Sequence, residues 1–569
     1  MPNQSEDRKI YTDKIVDSKS IKKVIIAGPG TGKTFTFKQI LNKLDTGNFL
    51  VLSFIRKLVY DLYIELGDKA EVKTFHAFCK KILHEKKGKI DIYSDLTNLI
   101  QHDSNYLGYQ FSDFDNKFRN LEESSPEIPF YLKRADYYGY LSFDESVYRL
   151  YKLLKEEPAL LNQFDQIIVD EYQDFNKLEV EFINELAKKS PILIAGDDDQ
   201  AVYSFRSSSP SYIREIANSA EYEKFELPFC SRCPKVIVES VNSFITKAII
   251  NGNFKNRVNK QYIPFTEGRE LLDSHYPKIK VIKVYLVKVI AKYILKEIQK
   301  IPLEEIQESN SKDSGYPTVL IIGPTHYLSE TYKILSKSYP NINFDTKEDA
   351  TQHPVIDAYK LLLMDRDSNL GWRILIQEFL DELNIKLILT KSKEETPLIN
   401  SIPSEFKEKH NQILEIIRKV KTEQRIFTES ESLVLKGTLK GLAGDIINYF
   451  NPTVEDKKDS AESNTNSVNI LMKTFEGSKG LSGGHVFIIG AVNGSIPVND
   501  NTITDIECSK FLVALTRTRK QCYIISNCYF SAPVNKKKQK IPKLRSSTFI
   551  DWIPTELKQD YGLMSAKQF

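Results

Sequence analysis

No apolar run in this sequence of 569 residues is long enough to cross a membrane; the longest, such as VIIAG and TVLIIGP, have the length of strands. The opening MPNQSEDRKIYTDK has no apolar core, so a signal peptide is not expected. Cysteine is scarce, with six residues in all. That is too few for a disulfide scaffold of this size and suits a reducing, cytoplasmic location. Cys230 and Cys233 form a lone CxxC, and no second ligand pair at comparable spacing lies nearby to make a zinc site. Charge of one sign is also scarce. The net charge is +3, so any surface that attracts nucleic acid has to be local. There is no internal repeat. What remains is ordinary for a globular protein, with 41% apolar and 27% charged residues, and the length suits about four domains or subdomains.

The informative residues are clustered. Residues 22–34 read KKVIIAGPGTGKT, followed by TFTFKQILNKL. A β-branched strand, a glycine loop, GKT and a helical pattern make a phosphate-binding loop. In such a loop the backbone N–H groups of Ala27, Gly28, Pro29 (which has none to give), Gly30, Thr31 and Gly32 surround phosphate oxygens, and the helix dipole assists. Lys33 would reach the β- and γ-phosphates of ATP and Thr34 would ligate Mg²⁺. The first position of the motif is Ala27 instead of glycine, small enough to fit.

Residues 164–174 read FDQIIVDEYQD, a buried-strand run ending at Asp170 and Glu171. Open α/β sheets bind ligands at the carboxyl ends of their strands. Asp170 would complete the Mg²⁺ shell, and Glu171 would orient or deprotonate an attacking water. A third strand follows in PILIAGDDDQAVYSFR, residues 191–206. Asp197, Asp198 and Asp199 read as a solvated acidic loop, and Gln200 is placed to hydrogen-bond a γ-phosphate or its water.

AGPGTGKT, DEYQD and GDDDQAVYSFR, in this order, resemble motifs of superfamily 1 DNA helicases of the UvrD/Rep type. The resemblance implies an α/β fold with two RecA-like parallel-sheet motor domains, each interrupted by a mostly helical accessory insertion. It implies that LVLSFIRKL (50–58) and VKTFHAFC (72–79) contact nucleic acid through Ser53, Phe54, Arg56, Thr74 and His76. Tyr203, Phe205 and Arg206 take the same role, with Phe205 as the base-stacking aromatic. CSRC in FELPFCSRCPKVIVESVN (225–242) is similar to the segment that carries one γ-phosphate arginine, here Arg232, and SKFLVALTRTRK (509–520) to the one that carries the arginine finger, here Arg517. TFEGSKGLSGGHVF (474–487) resembles the motif that touches nucleotide and DNA together, through Thr474 and Lys479. It departs from the motif at Glu476, where the family has His, and at Ser482, where the family has Glu. No glutamine stands in RKIYTDKIVDSKSIKK to read adenine.

The motifs divide the chain. Residues 1–85 and 151–222 make the first motor domain, 223–369 and 465–530 the second, 86–150 and 370–464 the two insertions, and 531–569 a basic tail. The second insertion reads as helical from EKHNQILEIIRKVKTEQRI, with apolar residues at i, i+3 and i+4. The expected activity is ATP-dependent translocation on single-stranded or 3′-tailed DNA, 3′→5′ by resemblance, in repair or in defence against foreign DNA. The alternative is a DNA-stimulated ATPase subunit that senses or clamps DNA for a partner effector such as a nuclease.

Overall fold

The computed structural model describes residues 4–54, 56–88, 90–311, 315–344, 353–392, 396–451, 466–531 and 543–564, the side chains of Arg56 and Lys87 excepted. It separates into two compact units. One comprises Met1–Phe75, Ala159–Asp345 and Ser463–Phe569, the other His76–Pro158 and Thr346–Glu462. No helix among the described residues is long and apolar enough to cross a membrane.

The first unit contains two large parallel sheets and a two-stranded parallel pair, Phe229–Cys230 with Ile263–Pro264. The first is built from β1 (Lys22–Ala27), β2 (Phe49–Ser53), β3 (Glu71–Thr74), β4 (Gln166–Val169), β5 (Ile192–Gly196) and β6 (Glu223–Leu227), in the order β3-β2-β4-β5-β1-β6. The four central strands β2, β4, β5 and β1 are apolar runs buried on both faces, as a parallel sheet covered by helices requires, whereas the edge strands β3 and β6 are partly exposed. Val24, Ile25, Val51, Ile168 and Leu193 are wholly buried. The helix α1 (Lys33–Leu44) lays Phe37, Ile40 and Leu41 against this sheet at helical spacing. Each such side chain contributes about 1.5–3 kcal/mol. Because every strand pairs in parallel, the carboxyl ends of β1, β2, β3, β4 and β5 open on one edge. That edge therefore gathers the phosphate loop, Ser53, Thr74, Asp170 and Gln200.

The second sheet has β7 (Ile279–Leu286), β8 (Val319–Ile322), β9 (Asn343–Phe344), β10 (Ile470–Lys473), β11 (Gly483–Ile489), β12 (Thr518–Tyr529) and β13 (Lys558–Met564), in the order β9-β10-β8-β11-β12-β7-β13. The strand β13 corrects one expectation. The chain after 530 is not simply a tail, for its last strand completes this sheet on β7. Phe549 and Trp552 precede it, packed edge-on and tilted against Phe244 at ring-centroid distances of 5.2 and 5.0 Å. Most of the basic run 535–545 lies outside the described residues.

The second unit is helical, and both insertions belong to it. The helix Ser404–Thr422 buries Ile413, Leu414, Ile417 and Val420, the stripe that its periodicity predicts. Capping boxes at Ser142–Glu145 and Thr428–Glu431 fix two helix starts. An ion cluster joins the two insertions. Asp103 accepts from Arg373 Nε at 2.7 Å and from Arg134 Nε at 2.9 Å, all three side chains being buried. Burial alone would raise the Asp103 carboxyl, but the two guanidinium groups outweigh it and hold it below the ordinary value.

Candidate nucleotide site and nucleic-acid surface

The loop after β1 closes a cleft of 290 Å³ with residues of both sheets of the first unit. Gly30 and Gly32 have φ of 69° and 94°, the left-handed region that glycine enters at no steric cost. At Gly30 the space is also taken, because a Cβ there would lie 2.2 Å from Arg232 Cβ. The N–H of Ser231 donates to Gly30 O at 3.0 Å. The thiols of Cys230 and Cys233 donate to Pro29 O and Thr516 O at 3.1 and 3.4 Å. CxxC thus frames Arg232 between the phosphate loop and the Arg517 turn.

Lys33 opens α1 and its Nζ lies 2.7 Å from Glu171 Oε1 and 3.4 Å from Asp170 Oδ1. Glu171 has φ of 57°, a strained value for a side-chain-bearing residue, which turns its carboxylate towards Lys33. The other oxygen accepts from Gln173 Nε2 at 2.7 Å and sits 3.6 Å from Lys479 Nζ. Burial would raise the Glu171 carboxyl, but Lys33 and Lys479 overcome it and hold it well below the usual range. Asp170 goes the other way: burial raises it, Lys33 opposes, and the charge of Glu171 adds to the rise. Two carboxylates with opposed shifts in one cleft are a mark of acid–base or cation-binding chemistry.

Gln200 connects the halves of the cleft. Its Nε2 donates to Asp197 Oδ2 at 2.6 Å, and its Oε1 accepts from Arg517 Nη2 at 3.1 Å. Arg517 also donates to Val513 O and Leu481 O at 2.9 and 3.0 Å. Burial and the nearby Arg232 pull its pKa down to about 10. Lys479, expected at the nucleic acid, is instead buried in this cleft beside the phosphate loop. It donates to Asp174 Oδ2 at 2.5 Å and Gln200 O at 2.6 Å. Burial raises Asp174 to about 6, with Lys479 opposing. Asp174 lies inside DEYQD, so its position was visible but its partner was not.

The three acids after β5 are not a solvated loop. Asp197, Asp198 and Asp199 are at most 1% exposed. Lys260 pairs with Asp197 at 2.6 Å, Asp199 at 3.1 Å and, closer still, Asp198. Arg257 and Arg214 pair with Asp199 and Asp198 at 2.9 Å, and Tyr262 OH donates to Asp197 Oδ2 at 2.7 Å. Three cations match three carboxylates, so these oxygens hold side chains where a metal ion could otherwise sit. The sequence NRVNK gave no signal for this.

The expected nucleic-acid residues form one cluster with exceptions. The Phe54 ring lies 5.7 Å from Tyr203, and Tyr203 lies 5.9 Å from Phe205. The Arg206 guanidinium sits 4.2 Å from the Phe54 centroid. Phe205 is 67% exposed, an aromatic face open to solvent. Ser53 is buried at the end of β2, and Thr74 ends β3 half-buried. The Thr474 hydroxyl is spent locally, accepting from Gly477 N at 3.1 Å. His76 belongs to the helical unit, where its ring packs edge-on to Phe143 at 5.2 Å. The Arg56 side chain lies outside the described residues. Tyr203 OH donates to Glu476 O at 3.0 Å, and the Glu476 carboxylate is paired with Lys510 at 2.6 Å, so its charge is neutralised.

The model of the UvrD/REP helicase N-terminal domain matches residues 11–126 and 128–221. ATP-dependent DNA helicase Rep of Buchnera aphidicola is 27% identical, over 33% of this chain and 37% of that protein. DNA helicase II of Haemophilus influenzae is 31% identical, over 25% of this chain and 19% of that protein. ATP-dependent DNA helicase PcrA of Staphylococcus aureus is 26% identical, over 35% and 34%. The matched segments thus span well under half of each of these relatives. Over residues 11–221, which hold the phosphate loop and the DEYQD strand, the chain is thus similar to the N-terminal domain of UvrD/REP helicases.

Proposed function

We propose that the chain is an ATP-driven motor on single-stranded DNA. One observation carries this reading. The loop from Gln200 to Arg206 holds Arg517 and Lys479 of the nucleotide cleft at one end and presents the exposed Phe205 at the other. A change at the γ-phosphate is therefore only a few residues of chain from a base-stacking face.

In the reaction, Lys33 leaves Glu171 for the β- and γ-phosphates of ATP. Glu171, freed and ionised, takes the proton of the attacking water or orients it. Arg232 and Arg517, which line the same cleft, stabilise the charge that the transferred phosphoryl develops. Thr34 and Asp170, which line the cleft, would supply hard oxygen donors of the kind Mg²⁺ takes from a protein; bound there, the ion would neutralise phosphate charge. Gln200 then transmits the presence or absence of the γ-phosphate to Tyr203 and Phe205. Translocation 3′→5′ and preference for a 3′ tail follow from the resemblance alone.

The test is ATP turnover with and without single-stranded DNA. Turnover should rise with the polymer. Phe205→Ala should raise the DNA concentration for half-maximal stimulation by about 5- to 150-fold, from about 1–3 kcal/mol of lost stacking. Turnover that ignores single-stranded DNA would refute the motor.

A further inference from the structure

Arg519 lines the same cleft and has no role in the mechanism above. It sits near the start of β12, two residues past Arg517. Its Nε donates to Ser482 Oγ at 2.9 Å, and its guanidinium lies 4.3 Å over the Tyr316 ring. That platform is itself fixed. Tyr316 is 7% exposed, its OH donates to Glu308 Oε1 at 2.8 Å, and Lys520 pairs with Glu308 at 2.7 Å. The guanidinium is thus gripped by its stem and one face while its terminal nitrogens stay available.

Its charged surroundings are unusual. Burial and then Arg232 hold Arg519 below the ordinary arginine value, and Arg269 adds to the effect. Arg269 is itself tied to the carbonyls of Ser231, Arg232 and Cys233 at 2.6–3.2 Å. The carboxylates of the cleft, Asp170 and Glu171, are engaged by Lys33 and Lys479. A half-buried guanidinium beside other cations, with a neutral serine as its hydrogen-bond partner, is costly unless an anion meets it.

We propose that Arg519 is a third arginine for the nucleotide's polyphosphate, positioned by Ser482 and Tyr316. This rests on reading the cleft as an ATP site. Ser482 matters because it is short and uncharged. It fixes Nε without neutralising the guanidinium, whereas a glutamate there would pair with Arg519 and withdraw it from the cleft.

The experiment compares kcat and KM for ATP in wild type, Arg519→Ala, Arg519→Lys, Ser482→Glu and the double variant Ser482→Glu/Arg519→Ala, with thermal unfolding and equilibrium binding of a fluorescent ATP analogue alongside. Arg519→Ala should raise KM about tenfold or more, with kcat within about threefold. Arg519→Lys should recover part of the loss. Ser482→Glu should raise KM comparably alone and add little once Arg519 is gone. Unchanged KM in both single variants, with an active wild type, would overturn the inference alone, as would a lowered melting temperature with KM unmoved. A wild type that neither hydrolyses ATP nor binds the analogue would remove the ATP-site reading and the inference with it.

Discussion

Glu171→Gln separates binding from chemistry in this cleft. The change keeps the size of the side chain and removes its charge. The structural cost is limited because both lysine partners keep a second carboxylate: Lys33 retains Asp170 at 3.4 Å and Lys479 retains Asp174 at 2.5 Å. Gln173 keeps a carbonyl oxygen to donate to. The chemical cost is large. A positioned base is worth about 10²–10⁴ in rate, which is about 3–5 kcal/mol of barrier. Binding should move the other way. Lys33 is held 2.7 Å from Glu171, and ATP would have to draw it off. With glutamine that competing ion pair is gone, so ATP affinity should stay level or tighten by up to about tenfold. Single-turnover hydrolysis and equilibrium binding of a fluorescent ATP analogue measure the two effects separately. Turnover within tenfold of wild type, or clearly weaker binding, would refute the assignment of Glu171.

Two further expectations concern stability. Lys260→Ala strips the buried Asp197–Asp198–Asp199 cluster of its shared cation, and unfolding in urea should show a loss of about 3–5 kcal/mol; a loss under about 1 kcal/mol would mean that another cation serves these carboxylates. Asp174 is raised to about 6 from an ordinary value near 3.8, so the folded protein binds this proton more tightly than the unfolded chain. Its contribution is complete below about pH 4 and is lost as pH rises through 6, on the order of 1–3 kcal/mol. The stability advantage of wild type over Asp174→Asn should therefore shrink across that window in thermal melts; parallel curves would contradict the buried, raised carboxyl.

The sequence by itself determined the local devices. A β-branched strand running into GPGTGKT can bend only where glycine allows φ near 69° and 94°, and that geometry makes the phosphate loop wherever the chain is placed. QIIV and ILIAG, buried on both faces, foretold parallel strands, and with them the edge at which Asp170, Glu171 and Gln200 meet. The resemblance of GDDDQAVYSFR implied a base-stacking aromatic at Phe205, and that ring is exposed. What the local pattern left open was decided by partners far along the chain. Nothing in DDD says whether it is solvated; Lys260, about 60 residues on, decided that it is buried. Lys479 looked like a phosphate-strand contact until Asp174, 305 residues earlier, drew it into the nucleotide cleft. Arg519 gained its platform from Tyr316 and its hydrogen bond from Ser482. Backbone preferences act over a few residues and can be read in order, whereas a charge takes its energy from whatever surrounds it, and only the folded chain supplies those surroundings.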